Sequence, residues 1–360
     1  MNGPRKSTTP TDGGNAPITP PPETPDQWAG AGETVSLHGH QVFFRDIPAK
    51  DAAECDDSAS GSGDSDAAEP GSGATICLHG FPTSSFDWVW LCDALSAHDR
   101  LILPDLLDYG RSTTQHGKAA SIMAQADMVT ALAEHLGLTE IRLLAHDVGD
   151  TVAQELLARQ LEKSLPFRIT RCLFLNGGIV PELHRPRRAQ KLLASPLGGL
   201  VARLMAADRF KKAFAAVFSK KHQPDAALLD LFWDEIMGKQ GRPALARRIR
   251  YMAERKAYES RWVGALKGTT VPLMMINGLD DPVSGVHMAD VLSIRVPDMK
   301  VERLAGVGHY PQVEAPDQVA PLAIGFLFAD RKGAGPDKKG TGAGKKESKA
   351  RKSGGERPDA

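Results

Sequence analysis

Short apolar segments alternate with helix-like segments along most of this 360-residue chain, and this alternation narrows the possible folds sharply. Several of the apolar segments have no alternating polar residues, as is typical of strands that are covered on both faces of a sheet. The predicted strands of this set are Ala74–Leu78, Leu101–Pro104, Ile141–Ala145, Arg171–Leu175, Val271–Ile276 and Lys300–Leu304. Two further segments, Thr34–Leu37 and Gln41–Asp46, flank a His-Gly-His turn and predict a hairpin. The pattern predicts an α/β fold with a mainly parallel, doubly wound sheet.

Helical patterns fill the intervals between the predicted strands. Ser121 is a suitable N-cap for a helix that ends at Leu136, with Gly137 directly after it. A second helix is predicted from Thr151 to Arg159, after the third strand. Between residues 181 and 267 the strands stop, and the pattern is helical and rich in Arg and Lys. This interruption predicts a helical cap that is inserted between core strands and arches over the carboxyl edge of the sheet.

Composition divides the rest of the chain. Residues 1–33, 49–73 and 331–360 are rich in Pro, Gly, Thr, Ser or charged residues, and bury too little apolar surface to offset their ordering entropy. We therefore expect a disordered leader, a disordered loop and a disordered basic tail. The core is then formed by residues 34–180 and 268–330, with the cap at 181–267. The tail is interpreted as a solvated appendage, with contact to nucleic acid or an anionic surface as the alternative.

Several classes of protein are disfavoured by charge and by cysteine content. The 44 basic and 44 acidic residues balance, so the core is not expected to bind nucleic acid. The four cysteines show no CxxC spacing, which argues against a zinc site or a disulfide framework. The N-terminus lacks an apolar signal region and no segment is long enough to span a bilayer, which predicts a cytoplasmic chain. No metal, nucleotide or other cofactor motif is present in the sequence, so no cofactor is expected.

The turn after the third predicted strand is the strongest candidate for a catalytic element. Ile141–Ala145 runs through His146 and Asp147 directly into a helix, and the flanking Ala145 and Gly149 are small. A turn this tight is typical of a nucleophile elbow, here with Asp147 at the position where Ser often stands. Asp150 departs from the pattern, because a small residue is usual there.

A carboxylate at such an elbow is already ionised and is suited to displacing a leaving group at saturated carbon. The product is an alkyl-enzyme ester, whose hydrolysis needs a general base and donors for the developing oxyanion. His309, in the loop after the last strand, is the predicted base. Asp281 is chosen over Asp280 as the acid that orients it, because Asp281 stands directly before a proline.

The backbone N–H groups of Phe81 and Val148 are the predicted oxyanion donors. Nucleophile, orienting acid and His follow in this order, each at the end of a predicted strand. The alternative is that His309 is a hydrogen-bonded loop histidine and that Asp147 is only a helix N-cap. His79 and His146 are expected to line the site or to support it, rather than to take part in the chemistry.

These residues resemble the epoxide hydrolase and haloalkane dehalogenase branch of the alpha/beta-hydrolase superfamily, over about residues 34–329. Within that branch the chain most resembles the mesoderm-specific transcript proteins. The strings that support this are DLLDYGRS from Asp105, HDVGDTVAQELL from His146, NGGIVPELHRP from Asn176 and RWVGAL from Arg261. Asp150 belongs to the motif of that group. The resemblance implies an alpha/beta-hydrolase fold and a hydrolase activity.

Within that branch, the side chains near the predicted nucleophile help to separate the possible reactions. Dehalogenases hold the departing halide with a Trp beside the nucleophile and with a second donor, whereas this chain has Val148 and Phe81 at those positions. Epoxide hydrolases protonate the leaving alkoxide with cap tyrosines. Tyr251 is at the position expected for such a proton donor, with packing as its alternative role. Tyr258 is the second candidate for the proton donor and is also expected to contact substrate.

Other residues are candidates for the pocket wall. Asn176 ends a strand and either orients a ligand or caps a turn, whereas Glu182, His184 and Arg185 begin the cap and line the pocket or form salt bridges. The preferred function is an epoxide hydrolase-like enzyme acting on a small hydrophobic organic substrate and water. Haloalkane or ester hydrolysis is the alternative, and a non-catalytic binding or signalling protein is the alternative of another class. The natural substrate and the oligomeric state are left open.

Overall fold

The computed structural model describes residues 17–50, 73–114, 119–238 and 241–329. It contains one eight-stranded sheet in the order β1-β2-β4-β3-β5-β6-β7-β8, in which the pairs β1/β2 and β2/β4 are antiparallel and the others are parallel. The strands are β1 Glu33–Leu37, β2 His40–Ile47, β3 Gly73–Leu78, β4 Leu101–Pro104, β5 Glu140–His146, β6 Arg168–Leu175, β7 Leu273–Gly278 and β8 Lys300–Leu304. The predicted hairpin and the mainly parallel sheet are confirmed.

Helices cover both faces of the sheet. They are α1 Pro25–Gly30, α2 Val89–Ser96, α3 Ile122–His135, α4 Val148–Leu161, α5 Arg188–Leu193, α6 Gly198–Leu204, α7 Ala207–Ala215, α8 Ala226–Met237, α9 Pro243–Arg248, α10 Tyr251–Ala257, α11 Glu259–Gly268, α12 Val286–Arg295, α13 Pro311–Glu314 and α14 Pro316–Leu327. Consecutive residues of one strand face different cores, since Leu143 belongs to the cluster with α3 and α4, and Leu144 to the cluster with α2 and α14. This two-sided burial explains why the strand sequences lack polar alternation.

Helix α3, which precedes β5, begins as the sequence predicts. The Ser121 hydroxyl accepts a hydrogen bond from the N–H of Ala124 at 3.1 Å, and Gly137 follows the helix with φ +65°. Helix α4, which follows β5, begins at Val148, three residues before the predicted start at Thr151. It starts early because Asp147, in the turn after β5, is the last non-helical residue. This early start brings the first turn of α4 to the carboxyl edge of the sheet.

The prediction of a disordered leader through residue 33 is wrong for its last part. Thr24 and Gln27 form a capping box that starts α1, and the side chain of Trp28 is completely buried. The Trp28 ring packs edge-on against Phe86, and the Arg45 guanidinium lies 4.5 Å from its centre. One large buried aromatic therefore anchors a segment whose overall composition suggests disorder. Residues 1–16, 51–72 and 330–360, which include nearly all of the predicted loop and tail, lie outside the described residues.

The region from 181 to 267 is helical, as predicted, but its last helix packs on the core. The indole N–H of Trp262 in α11 donates to Glu155 in α4 at 2.8 Å, and Arg261 contacts the same carboxylate. The predicted end of the cap at Lys267 therefore falls within α11, a helix that packs on α4 of the core. Among the described residues, no helix is long and apolar enough to cross a membrane.

Candidate active site

Asp147 occupies a sharp bend between β5 and α4. Its backbone has φ +46° and ψ −102°, a conformation that L-residues rarely adopt and that costs on the order of 1–3 kcal/mol. The bend is crowded, and two glycines give it room, Gly149 within the turn and Gly80 on the loop after β3. A Cβ on Gly149 would lie 2.3 Å from the Leu78 carbonyl oxygen, and one on Gly80 would lie 2.5 Å from Nδ1 of His146. The structure therefore has the elbow geometry that the small flanking residues predict.

The carboxylate of Asp147 is buried, with only 2% of the residue exposed, and it is surrounded by donors. Its Oδ2 accepts hydrogen bonds from the backbone N–H of Phe81 at 3.2 Å and from the Tyr251 hydroxyl at 3.4 Å. Its Oδ1 lies 3.2 Å from Nη2 of Arg255. Burial by itself raises the pKa of Asp147, but the charges of Arg255 and His309 outweigh it and leave the pKa below its ordinary value. The group is therefore held as an anion. It makes no N-capping hydrogen bond, contrary to the alternative interpretation of Asp147 as a helix cap.

His309 is paired with Asp281, and the structure brings Asp281, not Asp280, to the imidazole. Nδ1 of His309 lies 2.8 Å from Oδ2 of Asp281. That carboxylate also accepts hydrogen bonds from the Ser284 hydroxyl at 2.7 Å and from the Asn176 amide at 3.0 Å. Burial raises the pKa of Asp281, but His309 and the hydrogen bonds lower it to about 2. The acid is therefore ionised and fixed by several donors.

The pKa of His309 is raised by its surroundings. Burial alone lowers it, but the carboxylates of Asp281 and Asp147 raise it to about 9. Since Asp147 and His309 shift one another's pKa, the carboxylate and the imidazole are electrostatic neighbours. The loop that holds His309 is fixed by Glu314, whose carboxylate accepts hydrogen bonds from the N–H groups of Gly308, Tyr310 and Ser219.

Of the two predicted oxyanion donors, Val148 directly follows Asp147 and Phe81 lies on the loop after β3. The Phe81 N–H points at the Asp147 carboxylate, and the Tyr310 hydroxyl donates to the Phe81 carbonyl at 3.0 Å, which fixes that peptide. Val148 is buried and is the first residue of α4, so its N–H belongs to the unpaired amino end of a helix. The Phe81 N–H contacts the carboxylate directly, and the oxyanion role of both N–H groups stays a prediction.

Comparison with known proteins agrees with this fold. A family model described as the alpha/beta hydrolase family matches residues 75–322. The chain belongs to the alpha/beta hydrolase family. It is 36% identical over 252 residues to a Mycobacterium tuberculosis protein named LipZ, covering 70% of this chain and 87% of that one.

The resemblance to the mesoderm-specific transcript proteins is also confirmed. This hydrolase-family chain is 33% identical over 321 residues to the human mesoderm-specific transcript homolog protein, covering 86% and 90% of the two chains. Among solved structures, the epoxide hydrolase CorEH matches with a TM-score of 0.63 and 15% identity, covering 83% of this chain and 99% of that one. The structural match shows the shared fold.

In this alpha/beta hydrolase, the rings of His79 and His146 contact backbone groups of the loops that form the candidate site. Nε2 of His79 accepts from the Leu106 N–H at 2.9 Å while its Nδ1 faces the Gly80 carbonyl. His146 Nε2 donates to the His309 carbonyl at 2.8 Å, while its Nδ1 has no hydrogen-bond partner. Burial, as the largest influence, lowers the pKa of each to about 3, so both are neutral. Binding of substrate by either ring stays a prediction.

Two predicted substrate contacts are placed differently by the structure. Tyr258 is 42% exposed and its ring packs on Trp262 at the start of α11, so a contact between Tyr258 and substrate stays a prediction. The Asn176 side chain uses its amide group on the Gly278 backbone and on Asp281, so it holds the orienting acid in place. Its φ of +30° marks a strained strand end, as at the elbow.

The three residues that begin the helical segment differ in their surroundings. Glu182 forms a surface ion pair with Arg295, and the Arg185 N–H donates to the Val283 carbonyl. His184 has no hydrogen-bond partner on either ring nitrogen, and burial lowers its pKa to about 4. The salt-bridge alternative is therefore the one seen for Glu182.

Asp150, the departure from the usual elbow pattern, is completely buried beside the site. A Cβ on Gly177 would lie 1.8 Å from its Oδ2, so glycine provides the space for this carboxyl. Burial, reinforced by the charge of Asp147, raises the pKa of Asp150 well above its ordinary value. The neutral acid is favoured, which avoids a second buried anion next to Asp147.

Arg255 is a residue of the candidate site that sequence reasoning missed. Its Nη2 donates to both the backbone carbonyl and the carboxylate of Asp147, and its Nε donates to the Thr151 hydroxyl at 2.7 Å. The guanidinium also lies 4.5 Å from the centre of the Tyr251 ring, four residues earlier on α10. That spacing is the signal that could have found it, because residues four apart share one face of a helix. If Tyr251 faces the nucleophile, Arg255 does so as well.

A largely apolar cavity of about 400 Å³ reaches from the surface to His309. Its inner end includes Phe81 and Tyr310, and its walls come mainly from α5, α6 and α7. Such a lining favours an uncharged organic molecule. Among the described residues, no group of three or more His, Cys, Asp or Glu side chains is arranged to hold a metal ion.

Proposed function

We propose that this chain is a hydrolase that opens epoxides through an alkyl-enzyme ester on Asp147. The observation that supports this most strongly is the set of donors on one oxygen: Phe81 N–H and Tyr251 hydroxyl both contact Oδ2 of a buried carboxylate at the elbow. The first donor suits an ester carbonyl oxygen, and the second suits the oxygen of an opening epoxide. The helical segment from 181 acts as the cap that covers the substrate.

In the first proposed step, the Asp147 carboxylate attacks an epoxide carbon and the carbon–oxygen bond of the ring breaks. Tyr251 gives its proton to the alkoxide that forms. Burial and the nearby Asp147 charge raise the pKa of Tyr251 well above its ordinary value, so the phenol is protonated before the reaction. The product of this step is a hydroxyalkyl ester of Asp147 and a Tyr251 phenolate.

In the second proposed step, His309 takes a proton from water while the water oxygen attacks the ester carbonyl carbon. Ester formation removes the Asp147 charge, which is one of the causes of the high pKa of His309, so the imidazole releases its own proton to solvent before it acts as the base, and it regains that proton from solvent once the Asp147 carboxylate is restored. The N–H groups of Phe81 and Val148 stabilise the oxyanion. When the ester bond breaks, the diol oxygen takes the proton from His309, and the Asp147 carboxyl returns its own proton to Tyr251.

Carbon–halide hydrolysis is a weaker candidate. Val148 and Phe81 offer no side-chain N–H to a departing halide at the positions where dehalogenases place their donors. The hydroxyl of Tyr251, which contacts Asp147, would have no alkoxide to protonate in that reaction.

A non-catalytic binding role is favoured by one specific observation. Arg255 ties Oδ1 of Asp147 in a buried ion pair with both side chains no more than 3% exposed, and such pairing reduces the reactivity of a carboxylate. In the epoxide proposal the same guanidinium keeps the carboxylate ionised and oriented. The two proposals therefore differ in whether Asp147 ever becomes covalently modified.

The proposal is tested with parallel panels of epoxides, chloroalkanes and carboxylic esters. We expect diol formation by the wild type, and a loss of at least about a thousandfold in kcat for Asp147→Asn and Asp281→Asn. Asp280→Asn is the matched control and keeps activity, because Asp281 and not Asp280 pairs with His309. Free halide without diol would instead assign a dehalogenase, and no turnover on any panel would favour the binding role.

A further inference from the structure

Four leucines on α5 and α6 are exposed to an unusual degree. We call Leu192, Leu197, Leu200 and Leu204 the leucine face; each is more than half exposed. Large apolar side chains grouped at a surface mark a site of interaction, whereas single exposed leucines need no explanation.

The geometry of α6 groups them. Leu200 and Leu204 are four residues apart on α6, and Leu197 is the N-cap residue three positions before Leu200, so the three lie along one side of the helix. Leu192 joins them from α5, because Leu192 and Leu204 line the same cavity. Since Leu204 is also 74% exposed, the cavity reaches the surface at the leucine face.

The chain around the leucine face is strongly basic. Between residues 185 and 212 the sequence has Asp208 as its one acidic residue, whereas the basic residues are Arg185, Arg187, Arg188, Lys191, Arg203, Arg209, Lys211 and Lys212. Arg187 and Arg209 line the same cavity as Leu192 and Leu204. The positive charge is therefore adjacent to the exposed leucines.

We infer that the leucine face docks on the surface of a bilayer that contains anionic phospholipid. Apolar side chains bordered by Lys and Arg are the combination that inserts into the headgroup region and is attracted by anionic lipid. A second copy of this chain is a poor occupant, because it would bring one basic surface against another. Docking brings the opening of the cavity against the lipid. An apolar substrate would then enter the cavity from the bilayer, an extension that rests on the proposed function.

The inference is tested on the full chain by sedimentation with vesicles. We expect binding to vesicles of equal parts phosphatidylglycerol and phosphatidylcholine, weaker binding to phosphatidylcholine alone, and a decrease with added salt. Replacing Leu200 and Leu204 together by Glu is expected to weaken binding by about tenfold or more. Leu200→Ser with Leu204→Ser is the milder pair, and circular dichroism checks that each variant is folded.

Ile294→Glu is the matched control. Ile294 is 78% exposed on α12 but does not line the cavity, so its substitution should leave vesicle binding unchanged. Binding by the leucine variants equal to the wild type would overturn the inference and assign the contact to another part of the chain, such as the basic tail. Failure of the wild type to bind, or a wild-type dimer that the leucine variants abolish, would overturn it as well. None of these measurements uses turnover, so they are independent of the epoxide proposal.

Discussion

The Arg255 guanidinium holds Asp147 at two points, donating to its backbone carbonyl at 2.6 Å and to its carboxylate at 3.2 Å. One side chain thus fixes both the strained backbone of the elbow and the direction of the carboxylate. Because both groups are almost completely buried, the ion pair is screened little by solvent.

Replacing Arg255 by Met should lower the stability of the protein and raise the pKa of Asp147. It leaves a buried carboxylate without its cation, so we expect a loss of stability of roughly 3 kcal/mol. It should also raise the pKa of Asp147, because Arg255 is the largest cause that lowers it. Thermal unfolding and the acidic limb of the kcat/KM profile measure the two effects. Arg303→Met, at an exposed ion pair with Asp290, is the control and should change neither; an unshifted acidic limb in Arg255→Met would contradict the assignment.

The pKa of His309 should fall when Asp147 is made neutral. In the wild type its neighbours raise it to about 9, with Asp281 contributing more than Asp147. We therefore expect a lower pKa in Asp147→Asn and a lower one still in Asp281→Asn, both followed by NMR titration of the imidazole. Asp208→Asn, on the helical segment away from the imidazole, should leave it unchanged. An unaltered value in Asp147→Asn would mean that the carboxylate and the imidazole are not neighbours.

Substitution of alanine for two helical glycines should change the stability of the protein in opposite directions. A Cβ at Gly149 would meet the Leu78 carbonyl oxygen at 2.3 Å, so Gly149→Ala should destabilise the protein by about 1–3 kcal/mol and disturb the elbow. Gly264 in α11 has no atom within 4 Å of the added Cβ, so Gly264→Ala should stabilise by roughly 0.5–1 kcal/mol. Chemical denaturation measures both, and equal effects would contradict the packing described for the elbow.

Trp28→Ala should show that α1 is part of the folded body. Removing a fully buried indole costs roughly 3–5 kcal/mol, whereas Trp28→Phe keeps much of the packing and should cost less. Denaturant unfolding gives both values. If Trp28→Ala unfolds like the wild type, the segment before β1 contributes nothing to stability.

Much of the fold was predictable because the strands have a strong local signal. The carboxyl-terminal halves of β3, β5 and β6 are mainly apolar, Asp147 directly follows β5, and Asp281 and His309 lie in the loops after β7 and β8. Parallel strands bring their carboxyl ends to one edge, so order along the chain was enough to bring these residues together.

The remainder depends on contacts that local patterns do not contain. Trp28 lies in a segment dominated by Pro, Thr and Gly, and only its tertiary packing makes α1 ordered. The position of Tyr258 is a second example, because α10 ends there with φ −111° and ψ +19°, and its side chain leaves the face that Tyr251 shares with Arg255. A helix boundary of this kind is the least readable feature of a sequence.

The most direct test of the account is a covalent trap at the elbow. His309→Gln removes the base that hydrolyses the ester, so incubation with styrene oxide should add the mass of one substrate molecule to the peptide containing Asp147, as measured by mass spectrometry. The wild type should accumulate no adduct and should release diol, and the double variant with Asp147→Asn should give no adduct. An unmodified Asp147 peptide in a folded His309→Gln protein, while the wild type turns the epoxide over, would contradict the proposed nucleophile.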